Sequence, residues 1–554
     1  MALSPTPART PSEFLPKLVT TLREGYRPAD LRADALAGLT VAIVALPLSM
    51  AIAIASGVSP ERGLFTTIIG GFLVSALGGS RFQVGGPAGA FIVLVSACVT
   101  QIGLEGLLLA TALSGVFLAV LALLRAGSYV RFIPYPVTVG FTAGIAVIIF
   151  ASQIKDLLGL SLPAGEPAEF LHKIAALWNA RDSLNLSALA VAAGTISMIV
   201  GIKRWKPQAP NLLIAVTLAA VAVAALGLPV ETIYSRFGDL PRSPPAPALP
   251  DVSLAALQAA LPWALSFTLL GAIESLLSAV VADGMSGRRH RPNAELMAQG
   301  VANIAAPLFG GFCVTGTIAR TATNVRAGSR GPVSGMLHAV FVLVFMLVAA
   351  PLAGYIPLAA LAGVLAVVAW NMAEKEELWH LARHSRADAV VVLATFGLVV
   401  FRDLTEGIVV GFALAGLVFI NRMSAGTTIE ERRLDATAPE TGQATERDVV
   451  IYHLNGPWFF GAAARLGAVL DQVSEQPQAF VIDFAAVPMI DSSGAYSFAL
   501  LARKMARKGG QLVISGARAE VRHALHRAGV HGDQVIFVPN LGALPAALGT
   551  VPPS

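Results

Sequence analysis

Long apolar runs occupy most of this sequence. Stretches of roughly 18 or more apolar residues, the length that an α-helix needs to cross a bilayer, recur over about the first 420 positions. Of the 554 residues, 55% are hydrophobic and 13% are charged, and the mean hydropathy is +0.69. A soluble domain carries about 25% charged residues. Because backbone groups in lipid must bond within the protein, the sequence predicts an α-helical membrane protein.

Fourteen hydrophobic segments are predicted from the hydropathy pattern, seven in each half of the chain. In the first half they lie near 34–55, 61–79, 87–100, 104–123, 132–150, 184–202 and 210–228. In the second half they lie near 258–283, 294–309, 316–328, 332–350, 355–372, 388–401 and 403–422. An odd number of spans makes the second half enter from the opposite side, so we expect a 7+7 inverted repeat.

The third segment of each half is short and begins at a helix-breaking stretch. Gly85-Gly86-Pro87 precedes the first of them, and Gly310-Gly311 and Gly316 precede the second. A helix that starts at mid-bilayer directs its free N–H groups and the positive end of its dipole into the protein. Two facing N-termini favour an anion and are typical of the substrate site of secondary transporters. A simple kink explains each break equally well, but their matched positions favour a site.

Two charged residues lie near these breaks. Glu274 is a carboxylate deep in an apolar segment, so we expect it to be paired, to carry a proton or to face a wet cavity. The favoured interpretation is a proton site coupled to substrate movement, and the alternative is a carboxyl group that only bonds helix-terminal amides. Arg320 follows the second break by one turn. It supplies positive charge to an anion, pairs with Glu274, or serves a purely structural role.

The first segment has Pro47 in its middle, which predicts a kink at mid-membrane. Leu48 and Ile52 lie one turn apart on the same helix face. They either line the cavity beside the kink or pack against a neighbouring helix.

Basic clusters indicate the orientation of the chain. Lys203 to Lys206, Arg288 to Arg291 and Arg383 to Arg386 fall between predicted spans, which places these connections in the cytoplasm. The net charge of +5 therefore reflects topology and not nucleic-acid binding. We predict a multi-pass protein of the inner (plasma) membrane, with a cytoplasmic N-terminal tail over 1–30. We expect no cleavable signal segment before the first span, because no short apolar segment with a small-residue cleavage site precedes it.

The composition becomes polar beyond residue 425. We predict a linker over 426–445 and a small α/β domain over 446–550, which an even number of spans places in the cytoplasm. Strands are predicted at 449–454, 479–484 and 511–515, and helices at 461–474 and 493–507. Asp491 to Gly494 joins a strand to a helix start, where Asp and Ser are good caps. The scattered histidines and isolated Cys98 and Cys313 lack ligand spacing, so neither a metal nor a cofactor is predicted.

These features together resemble the SulP anion-transporter family, whose members carry a C-terminal STAS domain. The resemblance lies in Pro60 to Phe65 with Gly78 to Arg81, in Gly86-Pro87, in Thr317 to Arg320 and in Asp491 to Gly494. It implies a fourteen-span inverted repeat over 31–425 divided into core and gate domains. It also implies an elevator-like movement, a homodimer and no enzymatic activity.

The resemblance also implies a site. The anion would contact a set of residues at the two breaks and the first span: Leu48, Ile52, Gly86, Pro87, Ala88, Thr317, Ile318, Ala319 and Arg320. Glu274 and Ser278 would occupy the positions of ion coupling. Ser493 matches a serine that is phosphorylated in the related anti-sigma-factor antagonists, which suggests regulation or docking of a cytoplasmic partner.

Three further stretches of sequence narrow the choice of transported anion. Gly271 to Leu277, Asp283 to Met285 and Ala369 to Met372 look most similar to bacterial members that carry C4-dicarboxylates such as fumarate and succinate. Leu48 and Ala319 stand where other members have Gln and Ser, which leaves fewer donors for sulfate. We therefore expect proton-coupled uptake of a dicarboxylate or sulfate. The alternatives are sodium-coupled bicarbonate transport, an uncoupled exchanger or channel, a nucleobase permease, and a membrane sensor that signals through the STAS domain.

Overall fold

A computed structural model describes residues 13–130, 134–163, 165–167, 169–207, 209–402, 404–433, 449–460, 479–507, 510–532 and 535–544. It contains two compact units, Met1–Phe412 and Ala413–Ser554. The predicted helix at 461–474 and most of the predicted linker at 426–445 lie outside the described residues.

The first unit is helical. Its helices are α1 (Lys17–Arg23), α2 (Pro28–Ala55), α3 (Pro60–Phe65), α4 (Gly71–Leu77), α5 (Ile92–Leu123), α6 (Gly127–Val130), α7 (Tyr135–Leu158), α8 (Phe170–Asn179), α9 (Leu186–Trp205), α10 (Asn211–Leu226), α11 (Ile233–Phe237), α12 (Leu254–Ser286), α13 (Pro292–Leu308), α14 (Ile318–Arg326), α15 (Val333–Ala353), α16 (Leu358–Met372), α17 (Lys375–His384) and α18 (Arg386–Phe401), and α19 (Leu404–Ala425) begins in it. Two short strands, β1 (Gly85–Gly86) and β2 (Thr315–Gly316), pair with each other.

Helical structure occupies all fourteen predicted segments. A π-turn over Thr66–Gly70 makes α3 and α4 one continuous segment, which corresponds to 61–79. The predicted boundary between 87–100 and 104–123 lies at Gly103, whose φ of 71° breaks α5 into two helices. Within the described ranges, eight helices are long and apolar enough to cross a membrane. The basic stretch at 383–386, predicted as a loop, instead joins α17 directly to α18, because Ser385 caps α18.

Equivalent helices pack in equivalent ways in the two halves. α5 packs against α12 and α13, as α15 packs against α2 and α4. These helices and α14 form one group, while α7, α9, α10, α16 and α18 form a second. The two groups meet where α2 contacts α10 and α16 and where the start of the first short helix contacts α7. This arrangement is the one expected of an inverted repeat, and the division into core and gate stays a prediction.

Helices α5 and α13 approach each other through glycines. A Cβ on Gly300 would lie 2.8 Å from the carbonyl oxygen of Gly115, and one on Gly115 would lie 2.6 Å from that of Gly300. Small residues at a membrane helix crossing allow this close backbone packing.

We expect Gly300→Ala to lower stability by about 1–3 kcal/mol, because the added methyl group must push the helices apart. Gly194 of α9 is the matched control, since no atom lies within 4 Å of its Cβ position. Gly194→Ala should be neutral or stabilising, because alanine favours a helix. Thermal unfolding in detergent measures both, and an equal rise in the two melting temperatures would contradict the packing argument.

The segment predicted as an N-terminal tail is packed on the first group of helices. Lys17 N–H donates to the carbonyl of Gly78 (2.9 Å), and Arg291 donates to the carbonyl of Leu15 (2.6 Å). The Arg81 guanidinium bonds Glu24 at 2.6 Å and holds the pKa of that carboxyl below its usual range. The segment from residue 13 to α2 therefore straps the ends of several helices together. The hydropathy pattern does not indicate this packing, because the hydrogen bonds use backbone atoms and arginines that are distant in sequence.

The second unit contains a five-stranded sheet in the order β3-β4-β5-β6-β7. Its strands are β3 (Thr428–Arg433), β4 (Val449–Asn455), β5 (Ala479–Ala486), β6 (Gln511–Ser515) and β7 (Val535–Val538), of which only β3 pairs antiparallel. Helices α20 (Ser492–Arg507) and α21 (Ala519–Arg527) pack on one face around Phe498 and Leu525. The three predicted strands and the helix at 493–507 are confirmed, whereas β3, β7 and α21 were not predicted.

Candidate functional site

A two-stranded ladder joins the two helix-breaking stretches. Gly85 pairs with Gly316, and Gly86 pairs with Thr315, in antiparallel register. After β1 the chain makes a 3₁₀ turn over Gly89–Phe91 and enters α5, and after β2 it enters α14. Since antiparallel strands leave the ladder in opposite directions, the two helical segments start at opposite ends of it. The sequence predicted both starts, but not the strand pairing between them.

Free backbone donors are concentrated at these two starts. The N–H groups of Ala88, Gly89 and Ala90 have no acceptor among the described residues. The same holds, over the part of the chain that is described, for three consecutive N–H groups of α14: Ile318, Ala319 and Arg320. The side chains of Ile318 and Ala319 are half-buried and exposed, so this end of α14 borders open space. Uncapped N-termini with the positive ends of two dipoles form an anion site.

Thr317 was expected to contact the anion, but its N–H and hydroxyl groups both bond to the protein backbone. Its N–H donates to the carbonyl of Val84 at 3.1 Å, and its hydroxyl reaches the same oxygen at 3.3 Å. Thr317 therefore anchors the start of α14 to the strand region of the first half. Its amide is occupied and is not one of the free donors.

Arg320 crosses from α14 to the first half of the protein. Its guanidinium donates to the hydroxyls of Ser49 (3.0 Å) and Thr67 (3.2 Å) and contacts the carbonyls of Gly85 and Pro87 (both 3.5 Å). The side chain is fully buried. A Cβ on Gly86 would collide with the guanidinium, so glycine is required there by close approach. Arg320 thus cross-links α2, the π-turn and the first break.

No carboxylate neutralises Arg320 within the described ranges. The ion pair with Glu274, one of the three alternatives for Arg320, is not formed, and the Nε atom of Arg320 has no described acceptor. A buried cation without a counter-ion is costly, and a bound anion compensates it. The charge therefore adds to the attraction of the two helix N-termini.

Glu274 lies in α12, and its side chain is 9% exposed. Across the part of the chain that is described, its carboxyl group forms no hydrogen bond or ion pair. Among those residues, no helix-terminal amide donates to Glu274. The carboxyl group is left available for a proton.

The two serines that follow Glu274 within one helical turn, Ser275 and Ser278, connect α12 to the second break and to α14. The Ser275 and Thr315 hydroxyls share a hydrogen bond of 2.7 Å, and Gly316 N–H donates to the Ser275 hydroxyl at 3.2 Å. The Ser278 hydroxyl donates to the Thr321 hydroxyl at 3.1 Å. Ser278, predicted at an ion-coupling position, is thus bonded to α14. Ser275, the residue after Glu274, is bonded to the ladder.

Three apolar residues predicted at the site, Leu48, Ile52 and Ala88, together with Ile149 of α7, are buried and are called the apolar wall. They lie in one large apolar cluster. This cluster also contains Phe91 of the 3₁₀ turn. A Cβ on Gly89 would lie 3.2 Å from Ile149 Cδ1 and 3.8 Å from the Met372 sulfur. The start of the first short helix therefore packs directly against α7 and the end of α16.

Sequence reasoning missed four hydroxyl or amide side chains at the site: Ser49, Thr67, Ser275 and Gln83. Ser49 lies beside Leu48, and Ser275 lies beside Glu274. Gln83 Nε2 donates to the carbonyl of Ser275 at 2.9 Å. The available signal was a buried polar residue within an apolar segment. It is weak for serine and threonine, because each also bonds its own helix, as Ser49 does to Ala45 at 2.6 Å.

Ser493 is exposed at the start of α20 in the second unit. Asp491 caps this helix by accepting from Gly494 N–H at 2.7 Å. The loop therefore has the capping role predicted from its sequence, with the Ser493 side chain open to solvent.

Comparisons with known proteins agree with this architecture. The sequence profile of the Sulfate permease family matches residues 31–395, and that of the STAS domain matches residues 443–541. The chain is 40% identical to YvdB of Bacillus subtilis, named as a candidate sulfate transporter, over 92% of this chain and 95% of that protein. It is 30% identical to the bicarbonate transporter BicA of a Synechocystis species, over 90% of each chain.

Two solved structures share the fold. Murine Solute Carrier 26 family member A9, an anion transporter in the inward-facing state, matches with a TM-score of 0.84 over 99% of this chain and 97% of that chain, at 19% identity. The transmembrane domain of a cyanobacterial BicA matches with a TM-score of 0.62 over 70% of this chain and 98% of that one, at 29% identity.

Proposed function

Since this chain belongs to the sulfate permease family, whose members are anion transporters, we propose that it takes up a dicarboxylate such as fumarate or succinate, or sulfate, together with protons. The observation that carries the proposal is the buried Arg320 guanidinium, which has no described carboxylate partner and lies behind two uncapped helix N-termini. The positive potential of these groups selects an anion, and a doubly charged one gains most from it.

The apolar wall favours an organic anion over sulfate. A C4-dicarboxylate presents its carboxylates to the N–H groups and its carbon chain to Leu48, Ile52 and Ile149, all of which are buried. Sulfate exposes oxygen in every direction, and oxygens facing an apolar wall lose hydrogen bonds to water without replacement. The names of YvdB and BicA point to sulfate and bicarbonate, so these anions are the natural competitors.

Glu274 supports proton coupling. Intramembrane carboxylates commonly act in proton relays, and this one has no described partner that would hold it ionised. A sodium ion would need several oxygen ligands, and no other Asp or Glu lies within eight residues of Glu274 in α12. In the proposed cycle, Glu274 is protonated when the anion is bound, because a neighbouring negative charge favours the neutral carboxyl group. It releases the proton on the other side.

The division into two helix groups supports an elevator-like movement. The ladder, Arg320 and Glu274 all lie within the first group, which would carry the site as one body. The wall residue Ile149 belongs to the second group. Sliding of the first group along α7 and α16 would expose the site to alternate sides of the membrane.

Transport assays test the proposal. Proteoliposomes containing the wild type should accumulate labelled fumarate under an inward proton gradient and not under a sodium gradient. Succinate should compete strongly, and sulfate and bicarbonate weakly. Sodium-driven bicarbonate flux would replace the proposal with the bicarbonate alternative, and flux indifferent to both gradients would indicate an exchanger or channel. Absence of all flux would leave a membrane sensor or a nucleobase permease.

The proposed location, oligomeric state and regulation follow from the predicted topology and from the resemblance to the family. We place the chain in the plasma membrane as a homodimer, with the basic connections, the N-terminal segment and the STAS domain in the cytoplasm. The exposed Ser493 is proposed as a phosphorylation site that regulates transport or docks a cytoplasmic partner. A Ser493→Ala variant with unchanged regulation would reject this role.

A further inference from the structure

A polar cavity of about 250 Å³ lies between the two helix groups, on the side predicted to face the exterior. One wall is formed by the first short helix, including Ile92, Ser96 and Thr100. The opposite wall is formed by α7 and α8, including Gln153 and Lys173. Gln153 follows Ile149 by one helical turn, and Ile149 packs against Gly89 at the anion site. The cavity therefore begins one turn outside the site and is separated from it by Ile149.

The charges around this cavity are paired, with one exception. Lys173 pairs with Glu166 at 2.8 Å, and Arg236 pairs with Asp156 at 3.2 Å and with Glu231 at 2.8 Å.

Lys155 lines the same cavity and makes no ion pair or side-chain hydrogen bond within the described ranges. The undescribed positions 164 and 168 of the neighbouring loop are both alanine, so they supply no carboxylate.

A second polar cavity of about 410 Å³ adjoins the first and shares Lys155, Asp156 and Arg236 with it. Lys155 therefore lies in the last turn of α7, where the two polar cavities adjoin. A lysine there also complements the helix dipole, which is the purely structural explanation. That explanation requires no open cavity on either side of the side chain.

We propose that Lys155 is an external binding residue that receives the anion before it reaches the two helix N-termini. This inference rests on the proposed direction of transport. Lys155 lies six residues beyond Ile149 along α7, which corresponds to about 9 Å of helix rise. An outward slide of the first helix group by this distance brings the start of the first short helix level with Lys155, which lines the cavity there.

Cysteine chemistry tests this role directly. Cys98 and Cys313 are both buried, so an introduced external cysteine can be modified selectively. We expect Lys155→Cys to raise the external KM for the transported anion about 5- to 10-fold, as a nearby unit charge is lost. Modification with a reagent that adds an aminoethyl group restores a lysine-like charge and should return KM towards the wild-type value. A reagent that adds a sulfonate should raise KM further.

Arg181→Cys is the matched control, because Arg181 is an exposed cation on the same predicted side that stacks on Trp178 away from both cavities. Its KM should be unaffected by either reagent. If Lys155→Cys does not fold, Lys155→Gln is assayed at increasing ionic strength: the wild-type KM should rise with salt, and the rise should be reduced in the variant.

The outcomes separate this proposal from the proposed function. An unchanged external KM in a Lys155 variant, with wild-type flux intact, overturns the role of Lys155 alone. Altered melting temperature with unchanged KM assigns Lys155 to the helix dipole and also overturns it. If the wild type carries sulfate or bicarbonate instead of a dicarboxylate, the experiment is run with that anion. A wild type that transports no anion overturns both proposals.

Discussion

Arg320→Lys will reduce anion uptake by about 100-fold while leaving the protein folded. The guanidinium serves two hydroxyls and two carbonyls from three segments of the chain. A lysine ammonium is a point charge with three donors and cannot reproduce this planar fork. A charge that is no longer held beside the two helix starts would give up about 2.8 kcal/mol of anion binding, which corresponds to roughly 100-fold. Initial rates in proteoliposomes at matched protein density measure the effect.

Arg326→Lys is the control for this prediction. Arg326 lies in the last turn of the same helix and is exposed, so the same chemical change should have little effect there. Ser49→Ala and Thr67→Val, which each remove one acceptor, should give intermediate losses of about tenfold. Uptake above half of the wild-type rate in Arg320→Lys would show that the fork is not needed and that charge alone suffices.

Glu274→Gln will abolish proton-driven accumulation but preserve exchange of the anion across the membrane. Glutamine has the same shape as a protonated glutamate and cannot release a proton. With one coupled proton, a gradient of two pH units is worth about 2.7 kcal/mol, or about 100-fold accumulation. The variant should reach only equal concentrations on the two sides. Uptake and counterflow in the same vesicles distinguish lost coupling from lost binding.

Glu295 provides a contrasting control on α13. It is fully buried, and its carboxylate accepts from the N–H groups of Gly79 (2.9 Å) and Ser80 (3.0 Å). Glu295→Gln should lower the melting temperature, because its NH2 group would replace the oxygen that accepts from Gln299 Nε2 (3.1 Å). It should keep accumulation dependent on pH. Glu274→Gln should leave the melting temperature unchanged or higher, since no described bond is broken. Retained accumulation in Glu274→Gln would remove this residue from the coupling mechanism.

The membrane fold was predictable because lipid enforces simple rules. Helix length, apolar composition and the breaks at Gly86 and Gly103 are local properties, and the structure has helices at all the predicted segments. Features that depend on distant partners were not predictable. The pairing of Gly85 with Gly316 and the strap that links Lys17 to Gly78 each join residues from different parts of the chain.

The site was only partly predictable for the same reason. Arg320 and Glu274 stand out as charges in apolar sequence, whereas Ser49 and Thr67 become important only because Arg320 reaches them. The sequence pattern also suggested that Arg320 pairs with Glu274. In the fold, Arg320 turns towards the first half, where hydroxyls and carbonyls already accept its hydrogens.

The ladder between β1 and β2 has an evolutionary and engineering consequence. The ladder aligns the two helix starts through backbone hydrogen bonds, and Ser275, Thr317 and Arg320 add side-chain bonds. None of these bonds uses a side chain of the wall, so the orientation of the N–H donors does not depend on the wall. Residues 48, 52, 88 and 319 can therefore change size or polarity without disturbing the positive potential. A scaffold of this kind allows selectivity to diverge one residue at a time, so relatives that prefer different anions can arise without any intermediate losing the ability to bind one.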